Sequence, residues 1–595
     1  MKPFKQLKDV LGGLTYRHYL LFLFSSLLFS IPGLFDSLRP DDYSFHFDRL
    51  HYLAQQIEAG VWYPIANPFV IEGYGYVNDL FYGNFYLYPF VILILIGVPT
   101  TLAFFLLNVS IHFLTFILGY IASQKLFELV LKTSSQEAIR NKALLFTIIY
   151  FFFPFRIDKT INACVLAELI ATAVLPLLVL AIAKFLMEKE KRVNGWLCLS
   201  FSVLLLTHLI SFLIGVIFFA VILLVNFKKW LPRPKKWLEL ISTILLTVAI
   251  TSGFLFPLLE QFSSNEFYFQ VKNPHGPLSN SAIEVLGEVN HWVLIPLQLV
   301  LIGIVYLGFK LSKKLSGKKE QLMIQSLMIA MFLTLMMTDL FPWALFNNVF
   351  PIKMLQFTLR LANLTSFFFS ILFALLVNTL HAKDFSVNFH PLNKEVKIES
   401  MVKWVSTFLI GVFILFSIFA EYRHNLIMDN LNLPTNIEEL KPYYDEGMDL
   451  YVTHPSIGKG EYLPSRFDTQ EFIEAERVIH TDAHAVIPAT LTMNGIIYTW
   501  EIQSPIAEIY SLSFPVLYYK GYEARLNGVK QNLVQDESGK VSIQFEESVS
   551  LKPGDQIELE YVGTPIQHVS RIVSFITLTC CGLLLNLKMK TKRRA

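Results

Sequence analysis

Long apolar runs, each cut off by a short cluster of basic residues, constrain this chain more than any other feature. The runs fall at roughly 18–35, 99–122, 142–156, 165–186, 194–209, 210–227, 238–258, 292–310, 322–338, 355–378, 403–420 and 568–587. A hydrocarbon layer about 30 Å thick is crossed by about 20 helical residues, so such runs read as membrane spans. Composition agrees: 54% of the residues are apolar and 16% charged, against roughly a quarter charged in soluble domains. The Lys and Arg residues sit between the runs. The net charge of +2 is therefore a topology signal and implies no nucleic-acid partner.

The basic clusters lie at Lys125–Lys142, Glu188–Arg192, Phe227–Trp237, Lys310–Lys319, His381–Lys403 and Lys588–Arg594. Placing each on the cytoplasmic side predicts about twelve crossings, with both termini cytoplasmic, in a multi-pass cell-membrane protein. Lys2, Lys5, Lys8 and Arg17 precede the first run without a small-residue cleavage site, which predicts an uncleaved first span. Residues 86–122 are apolar throughout, yet two spans there would invert everything that follows. The stretch 86–97, closed by Gly97 and Pro99, is therefore expected to be interfacial or re-entrant at the outer face. Cys164, Cys198, Cys580 and Cys581 all lie in apolar segments and read as buried small hydrophobes rather than a disulfide or metal framework.

Residues 421–567 hold no such run. Ile497–Ile502, Ser542–Phe545 and Ile557–Tyr561 alternate apolar and polar, and Asn527-Gly528 and Pro553-Gly554-Asp555 are turn signals. The expected fold is an all-α polytopic bundle with an extracytoplasmic β-sandwich-like domain before the last span. The corresponding division is 1–420, with an outer loop at 36–98, then 421–567, then 568–595 with its basic cytoplasmic tail.

Ionisable groups near the outer ends of the spans are the candidates for function, because charge in a membrane segment is costly. Loop 36–98 predicts a helix with an apolar stripe at Phe47, Leu50, Ala54 and Ile57, closed by Gly60. Asp41, Asp42 and Ser44 stand at its N-terminal side, where Asp42 fits either an N-cap or a working carboxylate held ionised by the helix dipole. Glu72-Gly73-Tyr74-Gly75-Tyr76 fits an interfacial aromatic belt or the wall of a saccharide site. Arg156, Asp158, Lys159 and Glu168 lie between the third and fourth runs, and His208 at the turn after the fifth. Arg360, after Gln356-Phe357, needs an anion, or an ion pair with Glu168 or Asp339.

These residues carry a resemblance. Asp42-Tyr43-Ser44-Phe45-His46, Arg49, Gly60-Val61-Trp62-Tyr63-Pro64, Gly73-Tyr74-Gly75-Tyr76 and Phe81-Tyr82 resemble the bacterial membrane proteins called 6-pyruvoyl-tetrahydropterin synthase-related. Arg156-Ile157-Asp158, Ala167-Glu168, Thr207-His208, Gln356-Phe357 with Arg360, and Gly460-Glu461-Tyr462-Leu463-Pro464 extend it. Pro515–Tyr522 and Asn527-Gly528 are similar to the YfhO-like proteins. Pterin chemistry finds no support, since no compact set of His ligands for zinc is present.

The resemblance implies the GT-C glycosyltransferase architecture, in which a sugar passes from a polyprenyl-phosphate carrier to a wall polymer or glycolipid at the outer face. It puts Asp42, or Asp41, in the place of the essential acid of the first loop, with His46 beside it. Arg49, Glu72, Tyr74, Tyr76, Arg156, Asp158, Glu168, His208, Gln356 and Arg360 become the substrate-binding set. A D-x-D motif is lacking, so a Mg or Mn ion, if used, would fall to Asp41 and Asp42. The rival reading is a non-catalytic lipid-linked-saccharide transporter or an envelope-assembly scaffold. Charges deep in the bundle would favour a transporter; here they gather at the outer ends.

Overall fold

In the computed structural model the described residues are 14–34, 42–132, 134–161, 164–267, 318–346, 355, 357–377, 462–467 and 478–594. The helices used below are α1 (Tyr16–Ser30), α2 (Tyr43–Glu58), α3 (Tyr88–Leu95), α4 (Thr100–Val130), α5 (Gln136–Phe151), α6 (Pro154–Ile161), α7 (Leu166–Met187), α8 (Gly195–Thr207), α9 (Leu209–Val225), α10 (Pro234–Ser264), α11 (Lys318–Met336), α12 (Ala362–Val377) and α13 (Pro565–Arg594).

Among the described residues, five segments are long and apolar enough to cross a membrane: 100–130, 166–187, 234–264, 358–375 and 565–584. This is consistent with a multi-pass membrane protein, but it corrects the expected twelve crossings. Runs 292–310 and 403–420 lie outside the described residues. Others are shortened by local chemistry that hydropathy does not register. Run 142–156 is cut where α5 ends at Phe151, before Pro154 opens α6. The pair 194–209 and 210–227 becomes α8 and α9, of 13 and 17 residues, because the backbone leaves the helix at His208 (φ −142°, ψ 100°). Segment 86–97 contains only the eight-residue α3, about 12 Å long and too short for a span.

By contact the chain divides into two compact units: 1–43, 105–243 and 273–432 form one, and 44–104, 244–272 and 433–595 the other. The first unit is helical. Its core joins α4, α5, α7, α11 and α12 through side chains such as Phe127, Phe146, Leu178, Phe185, Met323 and Phe367. Phe22 and Phe151 stack on either face of Phe116, at 4.5 and 3.8 Å, and fix α1 to α4 and α5. At the start of α10 a fully buried ion pair, Lys236 with Glu239 at 2.9 Å, also accepts the Lys191 backbone N–H at 3.2 Å.

The second unit contains a β-sandwich over 479–561. One antiparallel sheet has the order β2 (Val486–Ile487), β1 (Ile479–Thr481), β5 (Ile506–Leu517), β9 (Lys540–Leu551), β8 (Leu533–Gln535). The other has β3 (Ala489–Asn494), β4 (Ile497–Ile502), β10 (Gln556–Tyr561), β6 (Tyr522–Leu526), β7 (Val529–Gln531). Inward residues of both sheets, including Trp500, Leu512, Phe514, Ile543 and Ile557, make one core. Asn527 and Gly528, with φ of 49° and 79°, close the β6–β7 hairpin as a two-residue turn. The Asn527 side chain then ties that turn to Asp555 and Gln556, each at 2.9 Å.

In the same unit α10 and α13 lie close, with small residues at the contact: Ser252 Oγ donates to the Ser570 carbonyl at 2.8 Å, and Ser574 Oγ to that of Ile250. A buried polar cluster caps the pair. Thr564 Oγ1 donates to Glu260 at 2.5 Å, Gln261 Nε2 donates to the Lys520 carbonyl at 2.7 Å, and Arg571 donates to the Pro64 carbonyl at 2.7 Å.

Candidate functional site

In the first unit the polar residues converge at the N-terminal ends of α7 and α12. Glu168 stands in the first turn of α7 and is 4% exposed. Its Oε1 accepts a hydrogen bond from Asn363 Nδ2 at 2.6 Å, and its Oε2 faces Arg360 Nε at 3.8 Å. Arg360 belongs to the 3₁₀ turn Thr358–Leu361 that leads into α12. The Thr358 hydroxyl pins that turn to the Met337 carbonyl at 2.8 Å. One turn further along α7, the Thr172 hydroxyl faces the Asn363 side-chain oxygen at 3.2 Å. Of the two ion-pair partners left open for Arg360, Glu168 stands within ion-pair distance. The pair does not use all of the guanidinium: Arg360 Nη1 is buried with no hydrogen-bond partner among the described residues.

His208 lies within electrostatic reach of Glu168. Its Nδ1 accepts from the Ser211 backbone N–H at 3.3 Å and faces the Ser211 hydroxyl at 2.7 Å, capping α9. A ring nitrogen that accepts a backbone N–H carries no proton, so the hydrogen-bond pattern assigns the imidazole proton to Nε2. Asp158 and Lys159, on α6, pair at 3.5 Å, and Lys159 also lies within electrostatic reach of Glu168. Asp42 is half-buried just before α2. Burial pushes the nearby Cys164 thiol up to about 12, and the Asp42 carboxylate acts in the same direction. Cys164 is four residues before Glu168, so Asp42 belongs to the same neighbourhood.

Arg156, 3% exposed, is the least compensated group. Its Nη2 donates to Thr115 Oγ1 at 2.9 Å and meets His112 Nδ1 at 3.2 Å, and its guanidinium carbon stands 5.2 Å from the centre of the Phe151 ring. Nε and Nη1 have no hydrogen-bond partner among the described residues. No carboxylate among the described residues pairs with it. A buried guanidinium with only neutral neighbours is unfavourable unless an anion joins it. His112 and Thr115, from the middle of α4, were not among the sequence candidates, nor was Asn363. A histidine inside a 31-residue apolar helix is the signal that could have exposed the first of these.

His46, Arg49, Glu72, Tyr74 and Tyr76 belong to the second unit. Arg49 is buried and well supplied: Nη1 donates to Tyr86 Oη at 3.1 Å, and Nη2 to Asp79 Oδ1 at 3.1 Å, the Tyr82 carbonyl at 3.0 Å and the Gly83 carbonyl at 3.2 Å. Burial raises the Asp79 carboxyl above the usual carboxylate range, although Arg49 and Asn84 oppose the shift. A cavity of about 20 Å³ lined by Arg49, Tyr52, Asn67, Tyr76 and Asp79 holds one water and no sugar. The His46 ring packs edge-on to Phe45 and Tyr82. Glu72 lies in the 3₁₀ turn Ile71–Gly73.

The Gly-Tyr repeat meets the β-sandwich. The Tyr74 carbonyl accepts the Leu517 N–H at 2.8 Å, and a Cβ on Gly75 would stand 2.9 Å from Tyr522 Oη and 3.2 Å from Tyr498 Oη. Asp41 and Gln356 lie outside the described residues. Among those described, no three His, Cys, Asp or Glu side chains come together as a metal site. Compared with known proteins, the chain matches no family model and no curated sequence.

Proposed function

We propose that this chain is a membrane glycosyltransferase that moves a sugar from a polyprenyl-phosphate carrier to a cell-envelope acceptor, a wall polymer or glycolipid, on the extracytoplasmic face. One observation carries the reading. Buried Arg156 and half-buried Arg360, both of the helical unit, keep buried N–H donors that no group among the described residues fills. Such donors suit a phosphate, which offers charge and several acceptor oxygens.

The chemistry then divides among named groups. The Asp42 carboxylate takes the proton from the acceptor hydroxyl. The acceptor oxygen forms a bond to the anomeric carbon as the bond from that carbon to the phosphate oxygen breaks, so a single displacement inverts the centre. The electron pair leaves with the lipid phosphate, and the charge gathering there is met by Arg360 and Arg156 with Lys159 near. Glu168 and Asn363 hold Arg360 in place, and His208 presents its Nε2 proton toward the same neighbourhood. The β-sandwich binds or presents the acceptor. The described residues offer Asp42 alone of the expected Asp41–Asp42 pair, and no step here is assigned to a metal ion.

The test uses a host strain lacking this gene, complemented with Asp42→Asn or Arg360→Met variants at normal membrane level. The readouts are sugar content of the wall polymers and glycolipids, and polyprenyl phosphate retained on the purified protein. Loss of the sugar in both is expected, on the order of 100-fold or more in rate, with lipid retention lost only in the arginine variant. Unchanged envelope sugar in both variants overturns the reading and leaves a transporter or scaffold.

A further inference from the structure

At the far end of the helical unit two lysines stand at similar depth, with no acid paired to either among the described residues. Their position follows from side-chain contacts and helix geometry. The Thr358–Met337 hydrogen bond and the chain direction make α11 and α12 an antiparallel hairpin. Phe367 on α12 packs against Phe146 on α5, ring centres 5.3 Å apart. The Tyr150 hydroxyl reaches the Thr172 carbonyl, and Thr172 reaches Asn363, so α5 climbs toward the start of α12. At 1.5 Å per residue, Phe367 lies about 13 Å along α12 from Thr358, Lys142 about 20 Å, and Lys319 about 27 Å. The two backbones thus differ by about 7 Å in depth, and the two ammoniums lie within electrostatic reach of each other.

Among the described residues neither lysine is compensated. Lys142 is 6% exposed, and its Nζ has one long hydrogen bond, 3.4 Å, to the Ala138 carbonyl of its own helix. Lys319 is half-buried. No carboxylate among the described residues pairs with either. Burial pushes the Lys319 ammonium down to about 8, and the charge of Lys142 adds to that shift. Two desolvated ammoniums in mutual repulsion are unfavourable until an anion sits between them.

We propose that Lys142 and Lys319 bind a phosphate group between α5 and α11, at the end of the helical unit opposite Glu168 and Arg360. The phosphate comes either from the headgroup of an acidic phospholipid or from a free anion. Basic pockets between spanning helices are suited to such headgroups. The site stands apart from the proposed transfer chemistry and does not depend on it.

The experiment melts the purified full chain in nanodiscs of phosphatidylcholine, with and without phosphatidylglycerol, and in phosphatidylcholine with added inorganic phosphate. Native mass spectrometry counts retained phosphatidylglycerol. A lipid site raises the melting temperature by a few degrees with phosphatidylglycerol, of the order mass action gives for a saturated site, with at least one lipid retained. A free-anion site gives the shift with inorganic phosphate alone. The double variant K142Q/K319Q loses the shift and the retained lipid, and K142R/K319R keeps both. No shift with either additive in the parent protein overturns the proposal, and so does a full shift in K142Q/K319Q. The first of these needs no variant, so a misfolded mutant cannot shield the idea.

Discussion

Gly75→Ala tests the docking of the first loop on the β-sandwich. Gly75 has φ of +78°, and a side chain in that region costs about 1–2 kcal/mol. The added Cβ would stand 2.9 Å from Tyr522 Oη and 3.2 Å from Tyr498 Oη. Tyr498 is buried and Tyr522 is partly buried against the sandwich core with its hydroxyl enclosed, so neither ring swings away freely, and overpacking of this kind costs about 1–3 kcal/mol. The sum, about 2–5 kcal/mol, corresponds to a fall of roughly 5–15 °C in melting temperature for a unit of this size. The Tyr522 hydroxyl has no hydrogen-bond partner, so Tyr522→Phe alone should be close to neutral. In the Gly75→Ala background it removes the nearest clashing atom and should restore about half of the loss. The assay is thermal unfolding in detergent by intrinsic fluorescence, on all four proteins of the cycle. A Gly75→Ala melt within 1–2 °C of the parent, well below the worked range, would refute the close approach. So would strict additivity of the two changes.

Two further outcomes follow from the ion pairs. Lys236→Met leaves Glu239 buried and uncompensated and should cost about 3–5 kcal/mol. K236M/E239Q removes both charges and keeps an acceptor for the Lys191 N–H, so urea or thermal unfolding should show most of the loss recovered. On the sandwich surface, hydrogen bonds from Lys530 and then Arg525 hold the Glu523 carboxyl below its ordinary value of 4.5. A depressed folded-state value means that the contribution is complete above 4.5 and is lost as pH falls through the folded value. Glu523→Gln should therefore flatten the acid limb of the stability curve, by less than about 1 kcal/mol because the two cations are exposed. An unaltered acid limb rules the effect out.

What the sequence made legible was local. Most of the α2 stripe and its stop at Gly60 are seen: Leu50, Ala54 and Ile57 are buried, Phe47 is half-buried, and Gly60 has φ of +90°. The alternation at Ile497–Ile502 and the Asn-Gly turn each contain their own cause within a few residues, and both appear as expected. The span count failed because hydropathy averages over a window, whereas a helix is ended by single groups such as Pro154 or the His208 cap. The Gly-Tyr repeat shows another limit. Its aromatic-turn chemistry was readable, but its partners Leu517 and Tyr522 lie more than 400 residues away, and nothing within the repeat names them. Likewise Glu168 announced its need for a partner, while the choice of Asn363 and Arg360 depends on how α7 meets α12.

The clearest separation of structural from functional residues comes from accounting for each guanidinium. Arg49 and Arg156 look alike in sequence, each an arginine beside aromatic residues, and both are buried. Arg49 has a carboxylate, two carbonyls and a phenol around its Nη atoms. Arg156 has a hydroxyl and an imidazole, and no anion. Removing Arg49 leaves Asp79 and two carbonyls without their donor, so Arg49→Met should cost about 3–5 kcal/mol and lower the yield of folded protein. Removing Arg156 deletes a charge that nothing balances, so Arg156→Met should be neutral or raise the melting temperature. It should at the same time abolish retention of polyprenyl phosphate. Stability gained with ligand lost is the mark of a binding residue. A strongly destabilised Arg156→Met protein would show instead that its three protein contacts suffice, and the main support for a phosphate in the helical unit would be gone.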